Sequence, residues 1–114
     1  MTDADLNDFF VAIRQCWSVK QIHAGYDPAR GQCNVTALVF NDHFGGEILE
    51  TPIENQWHFY NRVDGTIYDL TAEQFPVPPI YLNILSSRDE ALAGTLFTRY
   101  QALARRVRES LPIK

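Results

Sequence analysis

The 114-residue sequence contains only two cysteines, Cys16 and Cys33, and no long hydrophobic run. Two cysteines without regular spacing do not make the disulfide framework of a small secreted scaffold, although the sequence leaves open a disulfide between them. No apolar stretch approaches the roughly 18 residues that a membrane-spanning helix requires. The start of the chain is acidic and lacks the basic and apolar regions of a signal peptide, so we expect a cytoplasmic protein without a membrane partner. Export by a route that leaves no cleaved signal is the alternative.

The chain also lacks an excess of positive charge. Ten Lys and Arg residues stand against fourteen Asp and Glu residues, for a formal net charge of -4. The arginines between Arg99 and Arg108 are typical of the wet face of a helix, so we expect no nucleic-acid partner. Hydrophobic residues make up 46% of the chain, which is ordinary for a globular protein. At this length we expect one domain over residues 1–114.

Hydrophobic periodicity predicts helices at both ends and in the first half of the chain. Apolar residues at helical spacing indicate a first helix over 3–17. A second helix over 33–44 has apolar residues on more than one side, so we expect it to be central and buried. A Ser cap at Ser87 with Glu three residues on predicts a last helix over about 87–111. The loop over 18–30 is expected to form one wall of a cleft.

Between the second and last helices the pattern changes to that of strands. Three strands over 47–53, 57–63 and 66–70 are predicted to form an antiparallel meander, which gives an α+β protein. Residues 80–86 can carry a further short strand or lie packed over the core. Asp64-Gly65 is a strong signal for a tight hairpin between the second and third strands.

The hairpin register has a consequence for three polar side chains. With Val63 opposite Thr66, Tyr60 lies opposite Asp69. Side chains alternate along a strand, so His58 and Tyr60 lie on one face and Asp69 lies diagonal to His58 on the same face. The sequence therefore predicts that this histidine and this aspartate are neighbours.

Three residues on these elements form a candidate catalytic site: Cys33, His58 and Asp69. A thiol at the start of a helix is favoured as the nucleophilic thiolate, and free backbone N–H groups there can hold an oxyanion. His58 can act as the base, and Asp69 can accept the other imidazole N–H and orient the ring. Taken singly, each has a plain structural interpretation, as a packed thiol, a strand histidine and a turn cap. The catalytic interpretation depends on all three together.

Four further residues are weaker candidates for substrate binding or an oxyanion contact: Gln32, Tyr26, Trp57 and Tyr60. Gln32 precedes the thiol, Tyr26 lies in the loop before it, and the other two flank His58 along the strand. Packing or simple exposure is the alternative for each. No paired spacing typical of a zinc site occurs, and no glycine-rich phosphate loop opens a helix, so we expect no metal and no cofactor.

A resemblance to the small bacterial YunG-like proteins is carried by the segments GQCNVTALVFNDHFGGEIL and HFYNRVDGTIYDLTAEQF. Gly31-Gln32-Cys33 before a small apolar helix also resembles the nucleophile motif of transglutaminase-like proteins, within the papain-like cysteine enzymes. That resemblance implies a compact papain/transglutaminase-like domain. Its central nucleophile helix would pack on a small antiparallel sheet, between flanking N- and C-terminal helices. It also implies that Cys33, His58 and Asp69 are a catalytic triad.

One residue departs from the transglutaminase pattern, which usually has Trp after the Cys, where this chain has Asn34. The resemblance therefore implies the triad for this chain but not the protein cross-linking activity of transglutaminases. The expected function is thiol-dependent hydrolysis or acyl transfer on an amide or isopeptide, through a thioester, in a protein, peptide or small-molecule substrate. The alternatives are an inactive binding module on the same fold and a small toxin or effector enzyme. The sequence leaves the oligomeric state open.

Overall fold

The computed structural model of the protein describes residues 2–17 and 32–111, so the predicted loop over 18–30 lies outside the described residues. Within them, helices and strands form an α+β arrangement, as predicted. The elements are α1 (Asp3–Cys16), α2 (Cys33–Phe44), β1 (Glu47–Ile53), β2 (Gln56–Val63), β3 (Thr66–Tyr68), a 3₁₀ turn (Ala72–Gln74), β4 (Ile84–Leu85), α3 (Arg88–Ala93) and α4 (Phe97–Ser110).

The first two helices begin and end where local sequence signals place them. The Thr2 hydroxyl accepts the Asp5 N–H at 3.1 Å, and the Asp5 carboxylate accepts the Thr2 N–H at 3.2 Å. This reciprocal pair satisfies two donors that the start of a helix otherwise leaves free. The second helix, α2, ends at Gly45, whose φ of 70° is in the left-handed region that favours glycine.

The strands form one antiparallel sheet in the order β3-β2-β1-β4. The β2–β3 hairpin has the predicted register, with Asn61 opposite Tyr68. Its turn residues Asp64 and Gly65 have φ values of 51° and 80°, the positive angles that a tight hairpin turn requires. β3 ends at Tyr68, earlier than predicted, so Asp69 lies just beyond the paired strand. The predicted short strand in the 80–86 segment is present as β4, which pairs with β1.

The central helix α2 separates two hydrophobic clusters, as expected for a helix with apolar residues on several sides. All its residues from Val35 to Phe40 are buried. The Asn61 amide on β2 donates to the Ala37 carbonyl at 3.0 Å, which pairs two buried polar groups between helix and sheet. One cluster joins α2 to α1 and α4 through Phe9, Ile13, Leu103 and Val107. The other joins it to the sheet and α3 through Ile48, Phe59 and Ala91.

The prediction of one long C-terminal helix is wrong, because α3 ends at Ala93 and α4 begins at Phe97. Ser87 caps α3 as predicted and accepts the Glu90 N–H at 3.1 Å. The break falls at Gly94, where a Cβ would come within 2.5 Å of the Asn34 amide nitrogen. Gly94 is the C-cap of α3, and the helix ends where the chain passes close to Asn34 of α2. None of the helices in residues 2–17 and 32–111 has the length and hydropathy needed to cross a bilayer.

Candidate active site

His58 and Asp69 form a buried pair at the end of the β2–β3 hairpin. His58 Nε2 lies 2.7 Å from Asp69 Oδ2, and the two side chains are 3% and 5% exposed. The hairpin register brings these residues together although they are 11 positions apart in the chain. Their predicted proximity is confirmed. A carboxylate that accepts one ring N–H sets the tautomer and the orientation of an imidazole.

Cys33 reaches the imidazole from the start of α2, where it is the first helical residue. It is half-buried, and both Cys33 and Cys16 are free thiols, so the disulfide that the sequence left open is not formed. The Cys33 sulfur is near enough to His58 to raise the pKa of the imidazole, and its thiol donates to Asn34 Oδ1 at 3.4 Å. Asp69 engages Nε2, which leaves Nδ1 as the ring nitrogen for the sulfur. The structure thus brings the three predicted residues together.

The surroundings of His58 raise the pKa of its imidazole from 6.5 to about 9. Burial alone lowers this pKa, because it disfavours the charged ring. The hydrogen bond to Asp69, the interaction with the nearby Cys33 sulfur and the negative charge of both groups together outweigh burial. The imidazolium is therefore the favoured form at neutral pH, and an imidazolium is the partner that stabilises a thiolate.

The Asp69 carboxylate is surrounded by donors. Oδ2 accepts the Tyr81 hydroxyl at 2.7 Å in addition to the histidine. Oδ1 accepts both the N–H and the hydroxyl of Thr71, each at 3.3 Å. The two interpretations of Asp69 from sequence, as the orienting group for His58 and as a cap for the next turn, are thus compatible, since one oxygen serves each.

Aromatic rings hold the imidazole of His58 from two sides. The Tyr60 ring is stacked on it with centroids 5.9 Å apart, and the Phe75 ring meets it edge-on at 4.9 Å. Tyr60 itself is 1% exposed. Its hydroxyl donates to Asn83 Oδ1 at 2.9 Å and accepts the Asn83 N–H at 2.8 Å. The structure therefore places Tyr60 as a support for His58 inside the protein.

The other weaker candidates lie in three different settings. Gln32 is 3% exposed beside the thiol, and its side chain does not cap α2. Trp57 is 49% exposed, and alternation along β2 directs it away from the face of His58. Tyr26 lies outside the described residues. Of these three, Gln32 is the one that the structure places both buried and adjacent to Cys33.

Backbone donors accompany the thiol at the start of α2. The Thr36 N–H bonds to the Gln32 carbonyl at 2.9 Å, which is the first hydrogen bond of the helix. The N–H groups of residues 33–35 precede it and have no acceptor within the helix. Such groups at a helix start can stabilise an oxyanion that develops next to the sulfur.

Sequence reasoning missed the contributors that come from residues 71–83: Thr71, Phe75, Tyr81 and Asn83. This segment includes three prolines and has no strand or helix periodicity, so nothing in its pattern indicates which side chains face the sheet. Thr71 alone carries a local signal, because a residue two positions after an Asp commonly bonds to its carboxylate. Within the described residues, no three His, Cys, Asp or Glu side chains come together in a group that could hold a metal ion.

Comparison with known proteins identifies relatives of this chain. Residues 5–112 match the family model of the YunG protein. The chain is also 53% identical over 76 residues to the uncharacterized protein YunG of Bacillus subtilis (strain 168). That alignment covers 67% of this chain and 66% of the relative, just under two thirds of the relative's length. No solved structure matches. All three candidate residues lie inside the range that the family model matches.

Proposed function

The chain belongs to the YunG family, and we propose that it is a cysteine-dependent enzyme that hydrolyses or transfers the acyl group of an amide or isopeptide. The observation that carries this proposal is the buried His58–Asp69 pair, 2.7 Å apart, next to the thiol that opens α2. A sequence of nucleophile, base and orienting group is the arrangement that covalent acyl transfer requires. We propose further that the fold is of the papain/transglutaminase-like kind.

In the proposed first half-reaction, the Cys33 thiol proton already resides on His58 Nδ1, so the two side chains start as a thiolate–imidazolium pair. The thiolate attacks the substrate carbonyl carbon, and the C–S bond forms as the carbonyl oxygen takes the negative charge. Backbone N–H groups at the start of α2 stabilise that oxygen. The imidazolium then gives its proton to the amine nitrogen as the C–N bond breaks, which leaves a thioester on Cys33 and a free amine.

The second half-reaction reverses these roles. His58 removes a proton from water, or from an acceptor amine, which attacks the thioester carbonyl. The C–S bond breaks, and the sulfur leaves as the thiolate beside the imidazolium, which restores the starting pair. Asp69 stabilises the imidazolium in each half-reaction through its bond to Nε2. Hydrolysis and acyl transfer thus differ only in the acceptor.

Asn34 supports leaving protein cross-linking out of this proposal. Its amide donates to the Ala91 carbonyl at 2.9 Å, and its Oδ1 accepts the Cys33 thiol at 3.4 Å. The side chain at this position therefore connects α2 to α3 and contacts the nucleophile. It offers no aromatic wall of the kind that Trp supplies in the transglutaminase motif.

The first test is alkylation of both cysteines with iodoacetamide between pH 6 and 9, with mass mapping of each site. We expect Cys33 to react faster than Cys16, which is 7% exposed and bonded to the Ser110 hydroxyl at 3.4 Å. His58→Ala should slow Cys33 by on the order of tenfold, because the imidazolium no longer supports the thiolate. Equal rates at the two cysteines, or no effect of His58→Ala, would refute the proposal.

The second test is turnover of acyl, amide and isopeptide probes, with and without an added primary amine. Loss of turnover in Cys33→Ala is expected, and capture of the acyl group by the amine would assign transfer over hydrolysis. A reactive thiol with no turnover on any of these probes would favour the binding-module alternative instead.

A further inference from the structure

We infer that Tyr81 is a positioning residue of this site. Its hydroxyl holds the Asp69 carboxylate in place and weakens the attraction of that carboxylate for the His58 imidazolium. The reaction that Tyr81 would serve rests on the proposed function. The contact itself is a property of the structure. It involves a residue that lies 12 positions after Asp69, on a segment with no regular structure.

Two donors converge on one oxygen of Asp69. The Tyr81 hydroxyl lies 2.7 Å from Oδ2, the same distance that separates Oδ2 from His58 Nε2. The Thr71 contacts to Oδ1 are longer, at 3.3 Å. Short hydrogen bonds to a carboxylate are the strong, charge-assisted kind. Tyr81 is therefore the donor that competes most directly with the imidazole for the carboxylate charge.

Hydrogen bonds hold the residues immediately before and after Tyr81 against β1. The buried Thr51 hydroxyl on β1 donates to the Ile80 carbonyl at 2.7 Å and accepts the Leu82 N–H at 3.1 Å. The Tyr81 ring also meets the Tyr60 ring edge-on, with centroids 4.9 Å apart. These contacts fix the ring, so that the hydroxyl is aimed at Asp69 before any substrate arrives.

Burial raises the pKa of the Tyr81 hydroxyl, and the hydrogen bond to Asp69 and its negative charge raise it further. The Tyr81 hydroxyl thus stays protonated, and can donate its hydrogen bond, at neutral pH. Within residues 2–17 and 32–111, the titratable groups that face His58 are Cys33, Asp69 and Tyr60, with Tyr81 acting through Asp69. A donor that draws charge from Asp69 weakens its attraction for the imidazolium. His58 can then more readily release its proton to a leaving amine.

The test is the pKa of His58, followed by NMR of isotope-labelled imidazole in the full chain. Tyr81→Phe keeps the ring and removes the hydroxyl, so we expect the His58 pKa to rise by about half a unit, or about threefold in proton affinity. Tyr60→Phe is the matched control, because its hydroxyl contacts Asn83 and not Asp69, and we expect no change. An unchanged or lowered pKa in Tyr81→Phe, or an equal rise in Tyr60→Phe, would overturn the inference.

A second measurement needs no variant and holds if Tyr81→Phe fails to fold. Titration of the protein with ¹³Cζ-labelled tyrosine should show Tyr81 protonated well above the ordinary tyrosine pKa near 10. An ordinary titration of Tyr81 would contradict the contact with Asp69. Neither measurement uses turnover. An inert Cys33 would therefore remove the proposed function and leave this inference standing.

Discussion

Two buried carboxylates in this molecule have opposite surroundings. Asp69 accepts hydrogen bonds from His58 and Tyr81 at one oxygen and from Thr71 at the other. Glu50, on β1, is 5% exposed, and within the described residues its Oε2 has no hydrogen-bond partner. The ionisable group that acts on Glu50 is another carboxylate, that of Glu90 on α3.

The difference between the two shows what burial does to a carboxylate with and without donors. Burial raises the pKa of Glu50, and the charge of Glu90 and a hydrogen bond with it raise it further. The Ser86 hydroxyl acts in the opposite direction but does not outweigh them. The surroundings of Glu50 therefore favour its protonated form, whereas Asp69 has hydrogen-bond donors at both oxygens and an imidazolium beside it. Burial alone does not identify a functional acid. The donors around it are the more informative sign.

The largest expected effect comes from removing the charge of Asp69. Asp69→Asn should lower the free energy of unfolding by about 3 kcal/mol at pH 6, because a buried imidazolium loses its counter-charge. The same variant should bring the His58 pKa down from about 9. Urea unfolding and NMR titration of His58 measure the two effects.

The pH dependence of this effect has a definite sign. The folded pKa of His58, about 9, lies above its ordinary value of 6.5. Its stabilisation is therefore complete below pH 6.5 and is lost as the pH rises through 9. The gap between the native protein and Asp69→Asn should narrow from pH 6 to pH 10. A gap that stays constant over this range would contradict the ion pair.

The second expected effect has the opposite direction. Glu50→Gln should raise the free energy of unfolding by roughly 1–2 kcal/mol at pH 7, because it removes a buried charge that faces Glu90. The folded pKa of Glu50 is raised above 4.5. Its cost therefore accumulates as the pH rises from 4.5 to that folded pKa and is complete above it, so the gain from Glu50→Gln should be small at pH 4.

Glu47→Gln is the matched control for Glu50→Gln, since it removes the same charge from the same strand. Glu47 is exposed and bonded to Arg62 at 2.7 Å, and this contact lowers its pKa. We expect no gain in stability from Glu47→Gln at pH 7. Equal stabilisation by both variants would indicate a general effect of net charge rather than the burial of Glu50.

The smallest expected effect tests the link between α2, which carries Cys33, and α3, which carries Glu90. Gly94→Ala would place a Cβ 2.5 Å from the Asn34 amide nitrogen and disturb its bond to the Ala91 carbonyl. We expect a loss of about 1 kcal/mol in the free energy of unfolding, the usual contribution of such a hydrogen bond.

A double-mutant cycle with Asn34→Ala isolates that contact. In the Asn34→Ala background the added Cβ has room, so Gly94→Ala should cost less than in the native protein. An undiminished cost would assign the effect of Gly94→Ala to the backbone at the helix break. Gly94→Ala should leave the pKa of His58 near its native value, because Gly94 lies at the C-cap of α3 and not beside the imidazole.

Local signals predicted much of the fold and the core of the candidate site. Asp64-Gly65 sets the register of a tight hairpin, and that register predicted that His58 and Asp69 are neighbours. Helical periodicity and Gly45-Gly46 bounded α2, with Cys33 as its first residue. The prediction of one long C-terminal helix failed because a capping signal marks where a helix begins and not where it ends, and α3 ends at its C-cap Gly94.

The sequence by itself determined the strands, the central helix and the order of thiol, imidazole and carboxylate, because each depends on residue periodicity or on a turn of two residues. The tertiary structure decided which donors surround each carboxylate. Tyr81 reaches Asp69 because Thr51 fastens an irregular segment across the sheet, and Glu50 meets Glu90 because α3 packs on β1 and α2. Such contacts join distant parts of the chain through segments without a repeating pattern, so their geometry exists only in the folded protein.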